Sequence, residues 1–192
     1  MLFRSSIWFT DPLFGINGEW EGARAKPEQA TTNVYRIGAD GRISAMITDL
    51  LNPNGLAFSP DFKRLYVAST GKGPGDTGAG GQGDMFVFEV GNGTLSNGRR
   101  FADFKIDGVG CAPDGVRCDV QGYVWCSSNA GRAVGYNGVT VWTPEGKLIG
   151  RIRLPEVCGN ICFGGPKRNR LFMAASQSLY AVYVNTQGAG PG

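Results

Sequence analysis

The sequence contains no histidine. That absence excludes Ser-His and Cys-His nucleophilic devices and any imidazole metal site within the chain. Chemistry here has to use carboxylates, amides, hydroxyls or an oxygen-bound metal. Long apolar runs are missing as well. Nothing approaches the roughly 20 residues that a membrane-spanning helix needs, and the opening MLFRSSIWFTDP has too short an apolar core for a secretory signal. No membrane association is expected, and the cytoplasm is the default compartment. The five cysteines, at 111, 118, 126, 158 and 162, include no C-x-x-C pair. Zinc-knuckle and thioredoxin-like motifs are thereby excluded, which leaves most of the thiols as small buried groups in strands. Charge is sparse and scattered, with a formal net of +3. Its densest group, Lys167, Arg168 and Arg170, reads as a solvated hairpin turn in preference to a phosphate-binding patch, so no nucleic-acid partner is expected.

What is present is glycine, 31 residues of it, and short apolar stretches broken every few positions by Gly, Pro, Asn or Asp. That pattern predicts many short strands and tight turns, an all-β fold with no long amphipathic helix. At 192 residues, 42% hydrophobic and 18% charged, the chain reads as a single packed domain over 1–192.

Three stretches echo one another: PNGLAFSPDFKRLYVAST, PDGVRCDVQGYVWCSSN and GNICFGGPKRNRLFMAAS. Each pairs a polar residue opening one strand with a bulky residue in the next: Asn54 precedes Tyr66 by 12, Asp114 precedes Trp125 by 11, and Asn160 precedes Phe172 by 12. With Trp8 in the same place at the front, the four aromatics are separated by 58, 59 and 47 residues. Periods of that length, each holding about four strands, predict propeller blades. Third strands are expected at NVYRIG, DMFVFEV, GVTVWTP and SLYAVYV, and fourth strands at RISAMITDL, RRFADFK and KLIGRIRLP. The expectation is a partial propeller of about three to four blades, the first without its opening strand and the last without its fourth. A β-sandwich explains the alternation equally well but does not place a polar residue at the same point of every repeat. Open blade edges would permit self-association.

The glycine-rich segment at 70–84 contains Gly73, Gly75 and Gly78 in a G-x-G-x-x-G match, but Pro74 and the glycines after it cannot open a helix, so a surface loop is expected there. Asn92-Gly93-Thr94 fits a glycosylation sequon but also a hairpin turn. In a propeller the first strand of each blade lines the central channel, so Asn54, Asp114 and Asn160 are expected to converge at one mouth. The competing reading is that Pro-Asn-Gly and Pro-Asp-Gly are ordinary turns. A converging amide oxygen and carboxylate are hard donors that suit Ca²⁺, Mg²⁺ or Mn²⁺, with Zn²⁺ less favoured.

IWFTDPLFG, PNGLAFSPDFKRLYVAS, APDGVRCDVQGYVWCSS, VWTPEGKLIGRIRLP and NICFGGPKRNRLFMAAS, in that order, resemble the C-terminal two thirds of the gluconolactonase, senescence marker protein and luciferin-regenerating enzyme family. The resemblance runs from Ile7 to Tyr183. It implies a six-bladed β-propeller with one divalent cation, most often Ca²⁺, at the channel mouth, and hydrolysis of a small sugar lactone. It places metal ligands at Asn54 and Asp114 and gives Asp114 the general-base role as well. The family's glutamate ligand has no counterpart here, as if the N-terminal blades were missing. Asp11, in FTDP, is a candidate second-shell group or simply a turn residue beside Pro12. Asn160 is a candidate substrate contact or a cap on its own strand. A non-catalytic propeller remnant and a strictosidine-synthase-like propeller are the alternatives.

Overall fold

The computed structural model describes residues 2–3, 6–19, 22–71, 83–130 and 133–190. Most of the glycine-rich segment expected to form a loop, together with its G-x-G-x-x-G match, lies outside them. The described chain is all-β apart from one helical turn, α1 (Phe14–Asn17). Four antiparallel meanders follow one another, each with its strands in sequence order.

The first comprises β1 (Leu2–Phe3), β2 (Ser6–Asp11), β3 (Asn33–Ile37) and β4 (Ile43–Ile47). The second comprises β5 (Pro53–Phe58), β6 (Arg64–Ser69), β7 (Asp84–Gly91) and β8 (Thr94–Ala102). A small hairpin, β9 (Lys105–Ile106) with β10 (Val109–Gly110), intervenes. The third meander is β11 (Ala112–Cys118), β12 (Val124–Asn129), β13 (Gly138–Trp142) and β14 (Leu148–Arg153). The fourth has three strands: β15 (Cys158–Gly164), β16 (Arg170–Ala175) and β17 (Leu179–Tyr183). This is a partial propeller. The opening strand expected to be missing from the first blade is represented by β1, two residues paired to Ile7 and Ser6. The last blade stops at three strands, as expected.

Apolar side chains fill the gaps between blades. Trp8, Val34, Phe58, Leu65 and Val67 join the first two; Tyr66, Met85, Phe104, Val116 and Trp142 lie between the second and third; Trp125, Ile161, Leu171 and Met173 join the third to the fourth. Trp8 and Tyr66 are 1% exposed and Trp125 8%, so the repeating aromatic marks the inter-blade core. Burying each such ring contributes a few kcal/mol. The Asn92-Gly93 pair has φ of 51° and 77° between β7 and β8, the conformation that a two-residue type I′ hairpin requires.

Polar clasps reinforce the same joints near the ends of the second strands. The Thr10 hydroxyl donates to the Asn54 carbonyl at 2.8 Å, and the Thr70 hydroxyl to the Pro113 carbonyl at 2.7 Å. Asn129 bridges the Cys158 backbone, accepting from its N–H at 2.9 Å and donating to its carbonyl at 2.7 Å. Each clasp satisfies backbone groups that the start of the next inner strand would otherwise leave unpaired.

Candidate active site at the channel mouth

Pro-Asn-Gly and Pro-Asp-Gly are not turns. Both lie inside the innermost strands of their blades, and both occupy a β-bulge. In the second blade Pro53 faces Ser69 and Leu56 faces Val67, so Asn54 and Gly55 together oppose a single residue. In the third, Pro113 faces Ser128 and Val116 faces Cys126, so Asp114 and Gly115 do the same. A bulge re-aims the side chain it contains, and the repeat of this bulge in register puts Asn54 and Asp114 at equivalent points of adjacent strands.

The glycines explain how close those strands run. A Cβ added to Gly55 would overlap the Asp114 carbonyl oxygen and stand 2.9 Å from the Val116 nitrogen. One on Gly115 would overlap Asn160 Oδ1 and stand 2.7 Å from Asn160 Cα. The sequence Asn54-Gly55, Asp114-Gly115, Asn160 is therefore a contiguous arc across three blades. The Asp114 carboxylate reaches along it, with Oδ2 4.0 Å from the position of a Cβ on Gly159. Asn54 and Asp114 are half-buried and Asn160 is exposed.

Asn160 joins the arc but not at the expected register. Cys158 faces Ala175 and Asn160 faces Ala174, so Gly159 occupies the place of Asn54 and Asp114, and Asn160 the place of their glycines. Its Oδ1 accepts from the Ile161 N–H at 2.8 Å, capping its own strand. Asp11 closes β2 at the same end of the molecule. There its Oδ2 accepts from Gln29 Nε2 at 2.8 Å, within a polar group that includes Asn33 and Tyr35. Because side chains alternate across a strand, it is the preceding Thr10 that faces Asn54. Asp11 is paired within its own blade, beyond a simple turn with Pro12.

Two thiols flank the arc. Burial pushes Cys158 up to about 11, with the Asp114 charge adding to the rise. Cys126 is raised well above its ordinary value by burial first, and the nearby Asp114 charge again opposes its ionisation. Both remain protonated at neutral pH, so neither is poised as a thiolate nucleophile. Among the described residues no group of three or more Cys, Asp or Glu side chains is placed to hold a metal ion, and no hydrogen bond engages the Asn54 carboxamide.

Residues 6–177 match the family described as the SMP-30/Gluconolactonase/LRE-like region, and the chain belongs to that family. Among curated proteins it is similar to the gluconolactonase of Zymomonas mobilis, 27% identical over 190 residues, covering 95% of this chain and 48% of that protein. Among solved structures it superposes on a gluconolactonase from Xanthomonas campestris with a TM-score of 0.77 and 34% identity, covering 95% of this chain and 55% of the other. A protein described as a putative gluconolactonase gives 0.80 at 30% identity, covering 100% and 59%. The chain spans about half the length of the curated relatives it matches. For a hard divalent cation, the amide oxygen of Asn54 and the carboxylate of Asp114 are donors of the right chemistry, and they would supply two of the six to eight oxygens that Ca²⁺ takes. The described residues thus fit part of a coordination shell.

Proposed function

We propose that this chain forms part of a metal-dependent lactonase acting on a small sugar lactone. The observation that carries the reading is the repeated bulge, which sets Asn54 and Asp114 side by side on adjacent inner strands. Asn54 would hold a divalent cation through its amide oxygen and Asp114 through a carboxylate oxygen, with Ca²⁺ favoured and Mg²⁺, Mn²⁺ or Zn²⁺ as alternatives. When bound, such an ion polarises an ester carbonyl and lowers the pKa of a coordinated water.

In a chain without histidine a carboxylate is the first candidate for the base, and Asp114 is the one on the arc. Its second carboxylate oxygen would accept the proton as water adds to the lactone carbonyl carbon. The ring C–O bond then breaks, and that proton passes to the departing ring oxygen, leaving an open hydroxy acid. The Asn54 carboxamide is a donor that adds no charge beside Asp114.

A non-catalytic propeller module is the competing reading. Acid release from glucono-δ-lactone, followed with Ca²⁺ and with excess chelator, separates the two. Chelator-sensitive ring opening supports the lactonase. Turnover that is undiminished in chelator, or no ring opening and no Ca²⁺-dependent rise in Tm, rejects it.

A further inference from the structure

The opposite end of the inner strands, three residues or about 10 Å from the Asn54–Asp114 arc, encloses a cavity of about 100 Å³ between the second, third and fourth blades. Two arginines, Arg117 and Arg168, line it, and among the described residues no Asp or Glu does. We propose that this cavity is a binding site for a small oxyanion of the phosphate class, held between Arg117 and Arg168.

Arg117 lies in β11, half-buried, and its Nη1 donates to the Val116 carbonyl at 2.7 Å. Burial lowers its pKa, and the only groups opposing that fall are the neighbouring Cys162 and Cys118. Cys118 is itself pushed up to about 12 by burial, so at neutral pH it is a neutral thiol and no counterion. A half-buried cation without a carboxylate is costly unless an anion reaches it.

Arg168 comes from the β15–β16 turn, which is exposed as expected. Its Nη2 donates to the Ala189 carbonyl at 2.7 Å, which fixes the side chain across the cavity rim. The backbone supplies a second reason to single it out. Arg168 has φ 52°, and the equivalent turns of the second and third blades place Phe62 (φ 58°) and Gly122 (φ 87°) there. In all three the residue's N–H closes the same turn onto a carbonyl three positions back. Only glycine is at ease in that conformation. Phe62 and Arg168 both hang over the cavity, an apolar wall and a cation, where a glycine would leave it open. Strain tolerated at a ligand-facing position is a recurrent mark of a binding site.

The test is titration of the 192-residue chain with inorganic phosphate, with acetate and chloride at matched ionic strength, read by calorimetry and by Tm. Arg168→Gly removes the guanidinium while relaxing the turn, so its Tm without phosphate should hold or rise; Arg117→Gln removes the other charge. Saturable phosphate binding that raises Tm, weakened at least tenfold in each variant and stronger than acetate, supports the site. Equal responses to all three anions, no saturable binding, or unweakened binding in Arg168→Gly would overturn it. The outcome is independent of lactone hydrolysis, which neither arginine is proposed to serve.

Discussion

Gly55 presses its Cα against the Asp114 carbonyl, so closely that a Cβ there would overlap the carbonyl oxygen and stand 2.9 Å from its carbon. The neighbour is main chain of the innermost strand of the next blade, held on its other side by β12, and cannot swing aside. The same contact lets two bulges from different blades meet edge to edge, and so puts an amide and a carboxylate on one arc.

Gly55→Ala should therefore cost about 1–3 kcal/mol, the usual range for overpacking, and should weaken any Ca²⁺ response by separating Asn54 from Asp114. Gly110→Ala is the control, since nothing lies within 4 Å of a Cβ there; it should stay within about 0.5 kcal/mol. Denaturant melts of both variants check this. Equal stability would mean that the strands part freely.

Asp119 is fully buried, and its carboxylate accepts from the Gln121 and Tyr123 N–H groups and from Trp125 Nε1, each at 3.0 Å. It ties the β11–β12 turn to the aromatic that packs between blades. Asp119→Ala should cost about 3 kcal/mol or more, because it orphans a buried indole N–H and two backbone donors. The expected readout is a lower denaturation midpoint together with altered Trp fluorescence.

Strand positions, blade count and the placement of Asn54 and Asp114 at equivalent points of neighbouring inner strands are legible in the sequence because a repeat is a sequence-level signal. The bulge was not, since Pro-Asn-Gly spells a turn whenever its partner strand is unseen. Asn160 shows how a spacing misleads. Its distance of 12 to Phe172 equals that from Asn54 to Tyr66, yet the fourth hairpin is longer. Cys162 faces Phe172 ten residues on, whereas Ala57 faces Tyr66 nine on, and the extra residue conceals a one-position offset. The clasps from Thr10, Thr70 and Asn129 were illegible for another reason: hydroxyls and amides near strand ends are common, and only tertiary placement shows what they hold. The β9–β10 hairpin went unseen because two-residue strands carry no periodicity.

Burial raises Cys118 to about 12 and Cys158 to about 11, from an ordinary value of 9.0. Above pH 9 the unfolded chain releases these protons while the folded one keeps them, so the folded state binds more protons and stability falls as pH rises. The contribution is complete below pH 9 and is lost as pH climbs toward the folded-state values, at about 1.4 kcal/mol per pH unit per thiol. Denaturation midpoints should decline between pH 9 and 11 and recover part of that loss in Cys118→Ala. In the folded protein at pH 8, thiol reagents should label the exposed Cys162 quickly and the four buried cysteines only on unfolding.

Asp114→Asn separates the roles proposed for this side chain from its structural one. Carboxamide and carboxylate are nearly isosteric, and Asn54 shows that an amide is accommodated at the equivalent point of an equivalent bulge. Tm in chelator should change little. The charge is lost, however, and with it the stronger of the two cation donors and the only carboxylate on the arc able to take a proton from water. The Ca²⁺-dependent rise in Tm should shrink at least tenfold in apparent affinity, and chelator-sensitive ring opening should fall by two orders of magnitude or more, about the share that a positioned base contributes. Asn54→Asp provides the opposite perturbation, adding a charge beside Asp114. It should tighten Ca²⁺ while slowing turnover, because two carboxylates hold the ion more strongly and leave the lactone carbonyl less polarised. If Asp114→Asn kept both the metal response and the rate, Asp114 would be a bulge residue and nothing more.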